Sequence, residues 1–483
     1  MSPYFSKQAT TYEAELGRTE LPGLWNLYRQ NQQAQCEGFP RMSIINFHRL
    51  RNLFHKSITE YQAIFYKIAQ LVIIFIIISS VYLFSTRNTI GYPFHQALID
   101  WKFGFVRRGL FGEIWRHITP PPYVEEQYQF ISDWVILVLM SLIFIQISIC
   151  ELKNKGANRF WYVVFMVSSP LTLKNFVFDL GRMDAYGLII FIVGILLSMT
   201  NLPKLILVYT TVLIPVASLI SENLIFLYGI PLMVVCYISL ENTQIKKYYF
   251  VPIIAIALAL FVNLLAPAPH ATSQEYSQYI TSKSLTPWGT EAPETHLYMH
   301  VSGEFFNTIK DINNGIFKTK NHYTMLFVII FFMATVVVMV SQSLRGGSIP
   351  TMERLLLWSL PLDYLVLFAL GTDWLRWAAN LSLVILILLY VYAERWKLRL
   401  GPSPGNSWAT LLIVAQCFIP IGMGLGFYPP QNINVNLRKV YSLTTPYGLM
   451  HGECQSLVTC EKRNNFLPPA PTKIQSSGLS SAK

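Results

Sequence analysis

Residues 71–84 read LVIIFIIISSVYLF, and this stretch decides what kind of chain carries it. It contains no charge, and with its flanks it reaches the ~20 helical residues needed to cross a hydrocarbon core. Residues 135–150 and 250–266 have the same character. Over 483 residues only 13% are charged and 53% are hydrophobic. A soluble domain carries roughly a quarter charged residues, so an ordinary soluble protein is excluded. The expected fold is all-α, a polytopic bundle of transmembrane helices.

Working outward from that first span, residues 1–63 are polar and hold Arg41, His48, Arg49, Arg51, His55 and Lys56 just ahead of it. The positive-inside rule places this segment in the cytoplasm. No apolar h-region follows Met1, so the first span is expected to stay as an uncleaved insertion signal. Ile44, Phe47, Leu50, Leu53, Phe54 and Ile58 recur at helical steps, which suits either a basic amphipathic helix on the inner leaflet or a solvated tail.

Downstream, apolar segments at 64–85, 133–150, 160–174, 185–200, 205–221, 223–240, 249–266, 323–341, 355–371, 375–392 and 408–427 give about eleven crossings. With the N-terminus inside, the loops bearing Lys153, Lys155 and Arg159, Lys204, Lys246 and Lys247, Arg345 and Arg354, and Arg395, Lys397 and Arg399 all face the cytoplasm. Each carries basic residues, as the rule asks. The expected organisation is a cytoplasmic segment at 1–63, a transmembrane domain at 64–427 with outer loops 86–132 and 267–322, and an outer C-terminal tail at 428–483. The formal charge of +11 is then a consequence of inner-loop Lys and Arg, and nucleic-acid binding is not expected.

The outer loops have a different character. They hold Asp100, Arg107, Arg108 and Glu113, then Asp179, Arg182 and Asp184, then Glu222, then Asp373 and Arg376. Charges beside lipid are costly unless they pair or line a wet cavity, so a polar pocket opening outward is the simplest arrangement that satisfies them together. Residues 100–117, DWKFGFVRRGLFGEIWRH, interleave charges with aromatics and are expected to lie at the membrane surface, rings in lipid and charges in water. Segment 267–322 is long for a connection and is expected to cover the pocket as a lid or short-helix layer. Within it, His296, His300 and Glu304 fall at steps of four, a spacing that fits either metal ligands or a solvated helix face. Asp363, inside the ninth span after Pro361, fits a proton or ion site or a group repairing the carbonyl that Pro361 frees. Cys454 and Cys460 are a candidate disulfide in an oxidising compartment.

An inward N-terminus, an acidic residue (Asp100) in the first outer loop, amphipathic elements beside it, many spans and a long later outer loop together resemble the GT-C superfamily of membrane glycosyltransferases. The resemblance implies transfer of a sugar from a polyprenyl-phosphate carrier to a glycan or lipid acceptor on the outer face of a bacterial inner membrane. Asp100 is then the candidate base that takes the acceptor proton. Arg107 and Arg108 are candidates for the leaving phosphate. Glu113, Asp179, Arg182, Asp184, Glu222, Asp373 and Arg376 are candidate substrate-binding residues, with a divalent cation possible among Asp100, Asp179 and Asp184. Many members carry two adjacent acids in this loop, whereas Asp100 stands alone, which leaves the base assignment open. Two other readings compete: a polysaccharide polymerase or ligase of the Wzy and WaaL kind, and a transporter or flippase using Asp363 and Glu222.

Overall fold

A computed structural model of the chain describes residues 42–84, 91–106, 108–153, 159–200, 202–265, 269–285, 320–345, 347–370, 374–400, 411 and 415–416. Two compact units divide it, Met1–Ala69 and Gln70–Lys483. The described part of the first unit is helical throughout, within the 43-residue helix α1, Met42–Phe84. The basic segment and the first span expected as separate elements thus form one continuous helix.

In the second unit the described residues are built from helices, with only an isolated bridge between Tyr123 and Ser284. In order these are α2 (Gly91–Ala97), α3 (Leu110–Ile118), α4 (Glu125–Lys153), α5 (Phe160–Ser168), α6 (Leu173–Phe178), α7 (Asp184–Ser198) and α8 (Pro203–Ile220). A π-helical turn, Ile225–Gly229, leads into α9 (Ile230–Leu240), and a 3-10 turn, Gln244–Tyr249, leads into α10 (Phe250–Leu265). Then come α11 (Ser273–Ser282), α12 (Lys320–Leu344), α13 (Thr351–Leu370) and α14 (Trp374–Val391).

Four described segments are long and apolar enough to cross a membrane: Ile64–Leu83, Glu125–Lys153, Pro203–Ile220 and Gln244–Asn263. Asp184–Ser198, Ile225–Leu240, Ile330–Leu344 and Arg376–Val391 are shorter apolar helices. The single span expected at 160–174 is instead two short helices, α5 and α6, separated at residues 169–172. Pro170 explains the break. It has no N–H to continue the helical ladder, and it forces the residue before it into extended backbone, where Ser169 sits at φ −69° and ψ 145°. The Thr172 hydroxyl and amide both donate to the Ser169 carbonyl, at 2.8 and 3.1 Å, and the Ser169 hydroxyl donates to Gln416 at 3.0 Å. Irregular backbone at such a position survives only where protein groups satisfy it. Every residue of α6 is accordingly buried. Most of the expected last span, 408–427, lies outside the described residues.

Side-chain bonds gather the loops at two ends of this unit. At one end, Tyr390 donates to Glu151 at 2.7 Å, Tyr392 meets Ser198 at 3.2 Å, Arg159 lies 3.7 Å from Glu394, and Arg395 bridges Glu241 and Glu353. These are the loops whose basic residues the positive-inside rule selected. At the other end, the Tyr128 hydroxyl bonds the Gly181 carbonyl, Arg108 pairs with Glu222, and Asp100 pairs with Lys283. Large apolar side chains on the outside of the helices, among them Trp134, Ile145, Val212, Leu258 and Leu362, are exposed, as a lipid-facing surface requires.

Candidate functional site

The mixed-charge turn between α6 and α7 forms a cleft. Asn175, Phe176, Asp179, Arg182, Asp184, Ala185 and Arg376 line it, and the side chains nearly fill it. Asp179 closes α6, its amide bonded to the Asn175 carbonyl at 2.9 Å. Gly181 then turns the chain at φ +86°, a conformation that a side chain rarely adopts. A Cβ there would also sit 2.9 Å from the Tyr128 ring. Arg182 reaches back to Asp179 at 3.3 Å, and Asp184 opens α7, where its negative charge complements the helix dipole.

From α14, Arg376 Nε lies 3.0 Å from Asp184 Oδ2. One turn on, Asn380 donates to the same oxygen at 3.2 Å, and the Tyr228 hydroxyl of the π-helical turn donates to Asn380 Oδ1. The side chains of Asp184 and Arg376 are both 7% exposed, so this pair is held in place by protein on nearly every side.

Asp100 sits in a different setting. Its side chain is fully buried, Oδ1 accepting from the Lys102 amide at 3.1 Å and Oδ2 from Tyr279 at 2.7 Å and Lys283 Nζ at 2.9 Å. Arg116 Nε lies 3.5 Å away. Burial pushes the Lys283 ammonium below the usual lysine range while Asp100 pulls it back up, and burial together with the Asp100 hydrogen bond raises the Tyr279 phenol. The first loop and segment 269–285 are also stitched by backbone. The Tyr123 amide bonds the Lys283 carbonyl at 2.7 Å, Leu285 returns a bond to Tyr123 at 2.8 Å, and His270 bonds Phe103 at 2.9 Å. The described part of the long segment therefore lies on the first loop, and none of its residues lines the cleft.

Arg108, in left-handed backbone at φ +63°, makes a two-pronged pair with Glu222, Nε to Oε2 at 2.7 Å and Nη2 to Oε1 at 2.5 Å. Glu113 accepts from the Trp101 amide at 3.2 Å and from Arg116 at 2.5 Å, so it orders the loop around Asp100. Two rings of this loop pack onto the bundle. Trp115 is buried against Tyr123 and Tyr128, and Phe111 packs on Tyr186 at 5.4 Å. Gly112 lets α3 approach so closely that a Cβ would lie 2.0 Å from the Ile99 carbonyl oxygen. Packing into the bundle buries Trp115, partly buries Phe111 and leaves Ile114 and Ile118 exposed.

Of the residues selected from sequence, Asp179, Arg182, Asp184 and Arg376 thus meet in one cleft. Arg108 meets Glu222, and Asp100 and Glu113 share a cluster with Arg116. Arg107 and Asp373 lie outside the described residues, as do His296, His300, Glu304, Cys454 and Cys460. Among the described residues no three His, Cys, Asp or Glu side chains are placed to hold a metal ion, and each cleft carboxylate faces a guanidinium, so the donor set does not fit a divalent cation. Asp363 Oδ2 is buried with no hydrogen-bond partner among the described residues. Asn175, Asn380, Tyr279 and Arg116 were not selected, although Asn175 precedes Asp179 by four residues and Asn380 follows Arg376 by four, the step that puts two residues on one helix face.

The family described as Uncharacterised membrane protein Rv1490 matches residues 65–314, a little over half of the chain. The chain belongs to this family. The match takes in the first loop, the Asp179–Asp184 turn, Glu222 and the described Lys283 segment, and with the apolar helices it makes the chain an integral membrane protein. No curated protein and no solved structure matches it.

Proposed function

We propose that this chain is a membrane glycosyltransferase moving a sugar from a polyprenyl-phosphate carrier to a glycan or lipid acceptor outside the cytoplasm, in the GT-C-like topology of about eleven crossings described above. One observation carries the reading: Asp179 and Asp184 alternate with Arg182 and Arg376 around a single cleft. Carboxylates accept hydrogen bonds from sugar hydroxyls and take up a proton, while guanidinium groups hold phosphate oxygens.

In this scheme an acceptor oxygen attacks the anomeric carbon and the carbon–oxygen bond to the carrier phosphate breaks. The acceptor proton passes to Asp179, and Arg182 and Arg376 stabilise the charge left on the phosphate. The base is assigned to Asp179 rather than Asp100. Both Asp100 oxygens are engaged in a fully buried cluster away from the cleft, while Asp179 is one of the residues that line it. Asp100 then positions the first loop.

The broken crossing at 169–172 and the unpartnered Asp363 Oδ2 favour a second reading, a transporter, since such sites are built on interrupted helices. The full chain in proteoliposomes, given polyprenyl-phosphate-linked radiolabelled hexoses, separates the two. Transfer that drops at least about 100-fold in Asp179→Asn, the scale of general base catalysis, supports the enzyme. Absence of transfer together with solute uptake lost in Asp363→Asn supports the transporter and removes the enzyme.

A further inference from the structure

Asn175 brings an unmet hydrogen-bonding atom to the cleft. The residue is 1% exposed, and among the described residues its Oδ1 has no hydrogen-bond partner. Buried polar atoms in native proteins are nearly always paired, and leaving one unpaired is costly. Nearby donors have other work: Arg182 is turned to Asp179, and Arg376 and Asn380 to Asp184. What the oxygen lacks is a donor, and a ligand in the cleft can bring one.

We propose that Asn175 is a specificity-determining residue, its Oδ1 accepting a hydrogen bond from one hydroxyl of the transferred sugar. The inference rests on the glycosyl-transfer reading and names how that site selects its substrate. The backbone bond between Asp179 and Asn175 places the two side chains one helical turn apart on the same face. Asp179 then serves the reacting oxygen while Asn175 reads a hydroxyl one turn deeper. A hydroxyl suits the position because it donates to Asn175 and still accepts from a guanidinium. A site built to hydrogen-bond a hydroxyl rejects an analogue lacking it far more strongly than an apolar site rejects a methylene.

The test uses the full chain in proteoliposomes with a polyprenyl-phosphate hexose and its monodeoxy analogues. The wild type is expected to prefer the parent over one monodeoxy analogue by at least about tenfold in kcat/KM. Asn175→Leu, of similar size but without an acceptor, should bring that preference within about twofold, and Asn175→Asp, which keeps one, should retain it. The melting temperature of unliganded Asn175→Leu should be unchanged or higher. Preference retained in Asn175→Leu, or lost equally in Asn175→Asp with a fall in melting temperature in both, overturns the inference while leaving glycosyl transfer standing. If no hexose is transferred, a thermal shift by hexose 1-phosphate that is present in the wild type and lost in Asn175→Leu keeps the Asn175 site without the enzyme. An equal or absent shift in both removes it.

Discussion

Asp184 and Arg376 stand 3.0 Å apart across the cleft, joining the first residue of α7 to the third residue of α14 with both side chains 7% exposed. Removing one partner leaves a buried charge uncompensated, so Asp184→Ala alone is expected to lose about 3–5 kcal/mol of stability. Replacing both by apolar residues of matching size, Asp184→Leu with Arg376→Met, should recover most of that loss while abolishing activity. Thermal unfolding in detergent and the transfer assay read the two effects separately. A double variant as unstable as the single one contradicts the pairing.

Arg108 and Glu222 form a second such link, and here the geometry of the guanidinium matters more than its charge. Lysine cannot offer the fork that bonds both carboxylate oxygens. Arg108→Lys is expected to cost roughly 1.5–3 kcal/mol, the worth of a hydrogen bond to a charged group. Chemical denaturation should show this loss, and Glu222→Gln should produce one of similar size. An Arg108→Lys protein indistinguishable from wild type would show that the fork contributes nothing.

Much of this was legible beforehand. Lipid demands long uncharged runs, so the helices around 71–84, 135–150 and 250–266 announced themselves. Mixed charges at turns such as 179–184 suggested one shared pocket because unpaired charge near lipid is so unfavourable, whereas the described residues divide among the cleft, the Arg108–Glu222 pair and the Asp100 cluster. The interruption at Ser169 and Pro170 was hidden for the opposite reason: hydropathy averages over side chains and does not register a missing backbone N–H. Asp100 shows the other limit. Its residue type and loop fitted a base, but its partners Tyr279 and Lys283 come from a segment nearly two hundred positions away, and only packing reveals that its carboxylate is enclosed. Asn175 looked like one polar residue in an apolar run because nothing local marks a polar atom as lacking a donor.

The Asp100 cluster predicts a pH signature. Lys283 has a folded pKa lowered below its ordinary 10.5, so between those two values the unfolded chain binds more protons than the folded one. Stability from this group therefore rises with pH across that window. The raised Tyr279 phenol opposes it only above about pH 10, where the unfolded tyrosine ionises first. Melting temperature should climb in the wild type as pH rises toward 10 and flatten in Lys283→Met. The same slope in both proteins would assign it elsewhere.

Steric constraint gives the sharpest contrast between two glycines. A Cβ on Gly112 would meet the Ile99 carbonyl oxygen at 2.0 Å and that of Ala97 at 2.8 Å, both backbone atoms with no freedom to yield. On Gly229 the nearest atom would be an Ile214 methyl at 3.5 Å, an ordinary contact. Gly112→Ala is expected to prevent accumulation of folded protein, and Gly229→Ala to accumulate near wild-type level, by fluorescence-detected size exclusion. Equal yields of the two contradict this packing of α3.

The six-residue helix α6 supplies both Asn175 and the approach to Asp179, and it is too short to hold its shape alone. It becomes a helix only when neighbouring segments enclose it, so Asn175 and Asp179 acquire their spacing only once the surrounding bundle has assembled. A chain whose bundle has not closed therefore lacks the cleft, whatever ligand the cleft binds.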